Sequence, residues 1–372
     1  TFNALYADVD ASGLSGDLVA TIGTGSPTGF SEDVDIRLGT ADATVNTNAA
    51  GVSFDAAAAG SGDTLTLNDS GDVGVFAAGD GFTVDGSTGY AGELTVDSAL
   101  SAAGESMVVR TGSAQATVRG NGAQDSGTIE VDAASLADDT DLVIEGSDRV
   151  EVSSLAGDIA GASGSGTLDV TTIDGADLDI ATGSAKTTVD GVGGVVRVDA
   201  ARLASDEILG VEGAADFTLS AVGGDVDVVA DGSFSGGESA LSGDLTVNLA
   251  DGASGVEVFT GTGVTEVDTG TDASGSVSVE ADLLGDNVSG DAVDNLTLTG
   301  AGSAVVSDVV ADTDAGDLDG TLRLTTADNS GDGDIGVILG SSSATLDGTA
   351  GDDTLDVTAD GMGSAQTLSL TG

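Results

Sequence analysis

Gly127 to Ala137 reads GTIEVDAASLA, and Gly194 to Ala204 reads GVVRVDAARLA. In each, a glycine opens a run in which aliphatic and polar residues alternate, and an Asp-Ala pair closes it. Alternation of period two sends successive side chains to opposite faces of an extended chain, so Ile129 and Val131 share one apolar face, as do Val196 and Val198. The same unit returns at Gly92 (GELTVD), Gly166 (GTLDVT), Gly243 (GDLTVN), Gly275 (GSVSVE) and Gly320 (GTLRLT). Between them lies a second type, in which an alternating aliphatic pair runs on towards a turn. It is seen at Leu142 to Gly146, Leu178 to Ile180, Val256 to Gly261 and Leu296 to Gly300. The first type recurs at intervals of roughly 30 to 50 residues, the range of stacked repeat architectures.

These signals predict an all-β fold, a right-handed parallel β-solenoid of the β-helix or β-roll kind. Each coil adds one strand to each of two or three sheets, and the coils differ in turn length. Small aliphatics stack in ladders, so such a core needs few aromatics, and only 3% of the residues are aromatic. Helical periodicity is nearly absent: the candidates at Ala133 to Leu136 and Ala200 to Leu203 are one turn long and marginal alone. Phe2, Tyr6, Phe30, Phe54, Phe76, Phe82 and Tyr90 crowd the first ninety residues. Residues 1–90 are therefore expected to form an N-terminal β cap, a small β-domain or an assembly segment. Residues 91–372 are expected to form the repetitive solenoid, with the boundary near Gly89 to Gly92.

Composition narrows the function. The chain of 372 residues carries 64 acidic and 8 basic side chains, a formal charge of −56. Phosphate binding needs clustered Lys and Arg, so nucleic acid is excluded as a partner and anionic membranes are disfavoured. No apolar run is long enough to span a bilayer, so no membrane insertion is expected. The chain contains no His, Cys or Trp. A Ser-His-Asp triad is therefore excluded, and the usual zinc, copper and iron ligands are absent. Lys186, the one lysine, sits in GSAKTT and does not complete a phosphate loop. No enzymatic role is expected.

Cations remain the natural partners. The acid is mostly Asp beside Gly, which is turn chemistry: Asp hydrogen-bonds the local backbone and Gly takes positive φ. Oxygen-ligated calcium suits such a chain. Gly348 to Asp356, GTAGDDTLD, follows the nonapeptide Gly-Gly-x-Gly-x-Asp-x-Leu-x with Thr349 at the second position. There Asp353 would supply a carboxylate and Leu355 would point into the roll. Asp328, Asp332 and Asp334 have the first half of an EF-hand-like spacing, although Leu339 stands at the twelfth position in place of Glu. Asp312, Asp314 and Asp317 form a third cluster. The competing reading of each cluster is a solvated acidic turn. Asn68, Asn287 and Asn295 open glycosylation sequons.

On the nonapeptide and on NLTLTGAGSAVVSDV (from Asn295), the chain resembles calcium-binding repeats-in-toxin (RTX) proteins and, more broadly, bacterial S-layer proteins of that lineage. The resemblance covers mainly the last eighty or so residues. It implies a parallel roll, Ca2+ between coils, and secretion without an N-terminal signal peptide. Thr1 opens the chain without a Met, which fits a mature or trimmed product.

Together these readings lead us to expect an extracellular cell-surface protein that self-assembles as a homo-oligomer into a layer or filament. Divalent cations, and cell-surface polysaccharide, are its expected partners. The alternative is a segment of a large adhesin that binds a surface or glycan.

Overall fold

The computed structural model describes residues 1–23, 34–48, 51–121, 127–160, 163–233, 240–284, 296–327, 335–348 and 354–372. These residues contain 35 strands and no helix. The fold is the expected right-handed parallel β-solenoid, with two sheets. Two compact units divide the chain: Thr1–Ile173 with Leu178–Ala185, and Asp174–Asp177 with Lys186–Gly372.

In the first unit, the chain alternates between its two sheets strand by strand. Each strand therefore pairs in parallel with the strand two before it and the strand two after it. Ala43–Asn46 pairs with Leu18–Ile22 on one side and Thr64–Asn68 on the other. In the opposite sheet, Val52–Asp55 pairs with Val34–Arg37 and Val73–Ala78. Alternate residues point inward and stack in register: Leu65, Val84, Val109, Val131, Val152 and Val170 form one continuous buried ladder. The second unit repeats the device with Leu209, Val228, Val258, Val279, Val306, Leu324 and Leu346. Each such side chain contributes about 1.5–3 kcal/mol by leaving water. Branched aliphatics suit the pleated stack because their stiff χ1 loses little entropy there.

The strands carry a longer order than the one read from sequence. They run as five successive sets of seven, whose first strands begin at Phe2, Val73, Arg149, Asp216 and Ser303. Three structural marks fall at the same place in every set. In the first strand of each, one non-glycine residue takes the left-handed conformation: Ala4, Ala77, Ser154, Ala221 and Asp308, with φ between 54° and 56°. The register shifts there each time, as a β-bulge that bends the strand. The third strand of each set begins on a buried leucine: Leu18, Leu94, Leu168, Leu245 and Leu322.

The third mark follows the fourth strand, where Gly39, Gly112, Gly183, Gly261 and Gly340 close the coil. A Cβ on any of the five would overlap the backbone carbonyl oxygen of the coil before: those of Leu14, Tyr90, Gly164, Leu241 and Gly316 respectively. Close backbone approach, not positive φ, requires glycine here.

Seven is odd and there are two sheets, so successive sets exchange sheets. Within the first unit, the first strand of set one (Phe2–Leu5) and that of set two (Val73–Ala78) lie in opposite sheets. Within the second unit the same holds for Asp216–Val222 and Ser303–Val309. The units seen in the sequence at Gly92, Gly166, Gly243 and Gly320 precede third strands, and those at Gly127, Gly194 and Gly275 belong to sixth strands.

The boundary expected near Gly89 to Gly92 does not interrupt the ladders. Val73–Ala78 pairs with Leu94–Ser98, and Thr83–Asp85 with Glu105–Arg110. The described part of residues 1–90 is the first set of seven strands and the start of the second. Phe54, Phe82 and Tyr90 are buried at positions inside ordinary coils, while Phe2, Tyr6 and Phe76 are exposed. Tyr90 fills a corner with its hydroxyl 2.9 Å from the Gly71 carbonyl and 2.8 Å from that of Glu93.

Candidate functional site

The acidic residues were the sequence's main functional signal, and most of those with described contacts serve the backbone. One class caps turns. Asp55, Asp132 and Asp199, at equivalent sixth-strand positions, each accept the N–H two residues on, at 3.1, 3.2 and 3.0 Å. A second class reaches the next coil. Asp8 accepts from the Asp35 N–H at 3.1 Å, Asp42 from Thr64 at 2.9 Å, Asp80 from Ser106 at 3.0 Å and Asp216 from Asp244 at 2.9 Å. A parallel coil leaves N–H groups without ladder partners where strands start, and a carboxylate satisfies them. The short Asp side chain suits these contacts to local backbone, in keeping with the excess of Asp over Glu.

Asp312, Asp314 and Asp317 lie in or beside the strand Thr313–Leu318. Asp312 accepts the Gly336 N–H at 2.7 Å, and Asp314 accepts the Gly316 N–H at 2.7 Å. Each therefore commits one carboxylate oxygen to the backbone, and Asp317 is exposed. Among the described residues no group of three or more carboxylates is gathered so as to hold a metal ion. Asp328, Asp332, Asp334 and Asp353 lie outside the described residues. Of the nonapeptide, Leu355 pairs with Ile335 at an inward position, as its spacing implied. Asn68 lies in a strand with its side-chain amide donating to Asn46 Oδ1 at 3.1 Å, while Asn46 donates to Thr21 Oγ1 at 3.2 Å. Asn287 and Asn295 are outside the described residues.

Several of the few cations reach acids on neighbouring coils, a pattern the sequence hid because the partners lie far apart along the chain. Arg37 stands between Asp10 (3.9 Å) and Asp55 (3.6 Å). Arg119 stands between Asp97 (3.4 Å) and Glu145. Arg149 reaches Glu151 on its own strand (3.1 Å) and Asp169 on the next coil (2.6 Å). All are partly exposed, so each pair is worth at most about 1 kcal/mol and is screened by salt. Beside Arg37 opens a groove of about 500 Å³, with Asp8, Asp35, Ser53 and the exposed Phe76 on its walls. It holds carboxylates and one guanidinium but no nucleophile paired with a base.

Elsewhere the acids crowd one another. Burial pushes the Asp158 carboxyl above its ordinary value, helped by the charges of Asp179, Asp141 and Asp139. Glu280 is raised in the same way, by burial and then by Asp282 and Asp308. Hydrogen bonds from Ser12, Thr271 and Ser274 lower Asp10, Asp251 and Asp272. A raised carboxyl favours the folded state below its unfolded pKa, and that stability is lost as pH rises through the folded value. Asp158→Asn keeps an acceptor for the Asp179 N–H, which it now holds at 2.9 Å, but removes the charge. It is expected to raise the melting temperature at pH 7 and low salt. The gain should vanish below the ordinary carboxylate range and shrink in molar salt. Thermal melts across pH and ionic strength measure it, and an equal gain at pH 3 would contradict the charge argument.

No family model, curated protein or solved structure matches the chain.

Proposed function

We propose that this chain is an extracellular structural protein that self-assembles into a cell-surface layer or filament stabilised by divalent cations, calcium foremost. The observation that carries the reading is a repetitive two-sheet parallel β-stack whose carboxylates greatly outnumber its basic groups. The charge of −56 opposes association of like molecules, and counter-ions relieve that repulsion. In this reading calcium acts on the outward rows of carboxylates, which repeat at the coil spacing of about 4.8 Å.

Electron microscopy of the purified chain with millimolar calcium, then with a chelator, tests the proposal. Ordered sheets or fibres that dissolve on chelation are expected. Polymers indifferent to chelation would remove the ion from the mechanism. Monodisperse particles under both conditions would overturn self-assembly and favour a surface-binding adhesin segment.

A further inference from the structure

We infer that the groove beside Arg37 binds a linear organic cation, an alkyl diamine or polyamine, on the single chain and independently of assembly. Phe76 is the residue that sets this place apart. In each set the residue just before the left-handed bulge points outward, and in the other four it is Asn3, Ser153, Ser220 or Ser307. Ser153 and Ser220 donate there to the carbonyls of Val131 and Val198, both at 3.3 Å. Set two alone puts a large apolar side chain at this point, 42% exposed. Two residues earlier stands Gly74, where later sets have Glu151, Thr218 and Val305. A Cβ on Gly74 would lie 3.1 Å from Cε2 and Cζ of Phe76, so the ring leans back along its own strand over the glycine. Neither choice helps the fold: an exposed ring gains little from burial, and a glycine weakens a strand. A pair that breaks the repeat without a gain in stability marks a functional position.

The rest of the groove follows from the register. Asp10, Arg37, Asp55 and Phe76 form one outward row across four neighbouring strands. Asp35, Ser53 and Gly74 form the row beside it, with Asp8 next to Asp35 and accepting its N–H. Arg37 serves the first row, lying between Asp10 and Asp55. In the second row the Asp35 carboxylate has no hydrogen bond or ion pair among the described residues, and Asp8 commits only one oxygen. That row therefore runs from two uncompensated carboxylates, over the small Ser53, to an aromatic ring two strands and about 10 Å beyond Asp35.

An ammonium between Asp8 and Asp35 gains charge-assisted hydrogen bonds. Its methylenes lie over Ser53, and a second ammonium meets the Phe76 ring as a cation–π contact. The volume of about 500 Å³ is that of a small-molecule site. Charge selects among ligands. Four carboxylates against one guanidinium repel an anion. A bare divalent ion needs several oxygens converging on one point, and among the described residues no three carboxylates do so. A neutral sugar would leave the Asp35 charge without a partner.

Titration calorimetry of the full chain with spermidine, in calcium-free buffer at about 0.15 M salt, tests the site, because diffuse attraction to the acidic surface is screened there. Saturable binding of one spermidine per chain is expected, weakened about fivefold or more by Phe76→Ala and by Asp35→Asn. Both residues are exposed, so the circular dichroism of the variants should match that of the parent. Glu266→Gln, which removes an exposed carboxylate in the strand Thr265–Asp268, is expected to leave the affinity unchanged. Heats that never saturate, or equal weakening by all three variants, would mean diffuse charge attraction only and overturn the site. Affinity kept in Phe76→Ala would overturn it too, since the ring is what separates this groove from other acidic rows. Binding of maltotriose in place of spermidine would replace the cation by a glycan. Each of these failures leaves the assembly reading intact, because the groove lies on one chain.

Discussion

Alanine at Gly261 is expected to split the unfolding of this protein and to destabilise the coils around it by on the order of 3 kcal/mol. Its Cβ would overlap the Leu241 carbonyl oxygen and lie 2.8 Å from the Leu241 Cβ, so backbone has to move. A solenoid answers such a push poorly. Each coil touches only its neighbours, and opening one gap costs the ladder bonds on both sides of it. The neighbouring Thr260 is buried. Guanidinium unfolding followed by far-ultraviolet circular dichroism should show a new early transition beside the main one. The control is Gly223→Ala, where an added Cβ meets nothing within 4 Å and φ is not positive. Equal effects at the two glycines would refute the close-approach argument.

The same substitution at two equivalent positions should give very different costs. Leu298→Ala removes a side chain with no solvent exposure from the inward ladder of its sheet, and is expected to cost about 2–5 kcal/mol. Leu370→Ala sits at the same place in the last set, where the side chain is 59% exposed in the single chain. There it should cost less than about 0.5 kcal/mol in the dilute monomer. Chemical denaturation of both variants at low protein concentration measures the difference. The comparison separates what residue type demands from what stacking supplies, since the leucine and its local strand are alike. If Leu370→Ala proves as costly as Leu298→Ala in a dilute monomer, the outer coil is already covered by contacts within the chain.

Much of this structure is legible residue by residue. The alternation at Ile129 and Val131, or Val196 and Val198, fixes which side chains face inward, because a strand has only two faces. Gly-Asp punctuation marks where coils turn, and the near absence of long apolar or helical runs leaves a parallel stack as the simplest way to bury so many small aliphatics. Leu355 points where its spacing said it would. The true period was not legible in the same way. Third strands such as Leu94–Ser98 and sixth strands such as Gly127–Asp132 share one short vocabulary, and loops of unequal length blur the spacing between sets. The bulge at Ala77, Ser154, Ala221 and Asp308 has no common residue type, since its left-handed φ is imposed by pairing and not by local preference. The role of the carboxylates was likewise decided only in three dimensions. Asp42 and Thr64, or Arg37 and its two acids, are a coil apart along the chain and adjacent across the sheet. Local chemistry chose strands and turns, because φ, ψ and hydrophobic alternation act over a few residues. Stacking chose the register and the odd count of seven, because those depend on which coil lies next to which.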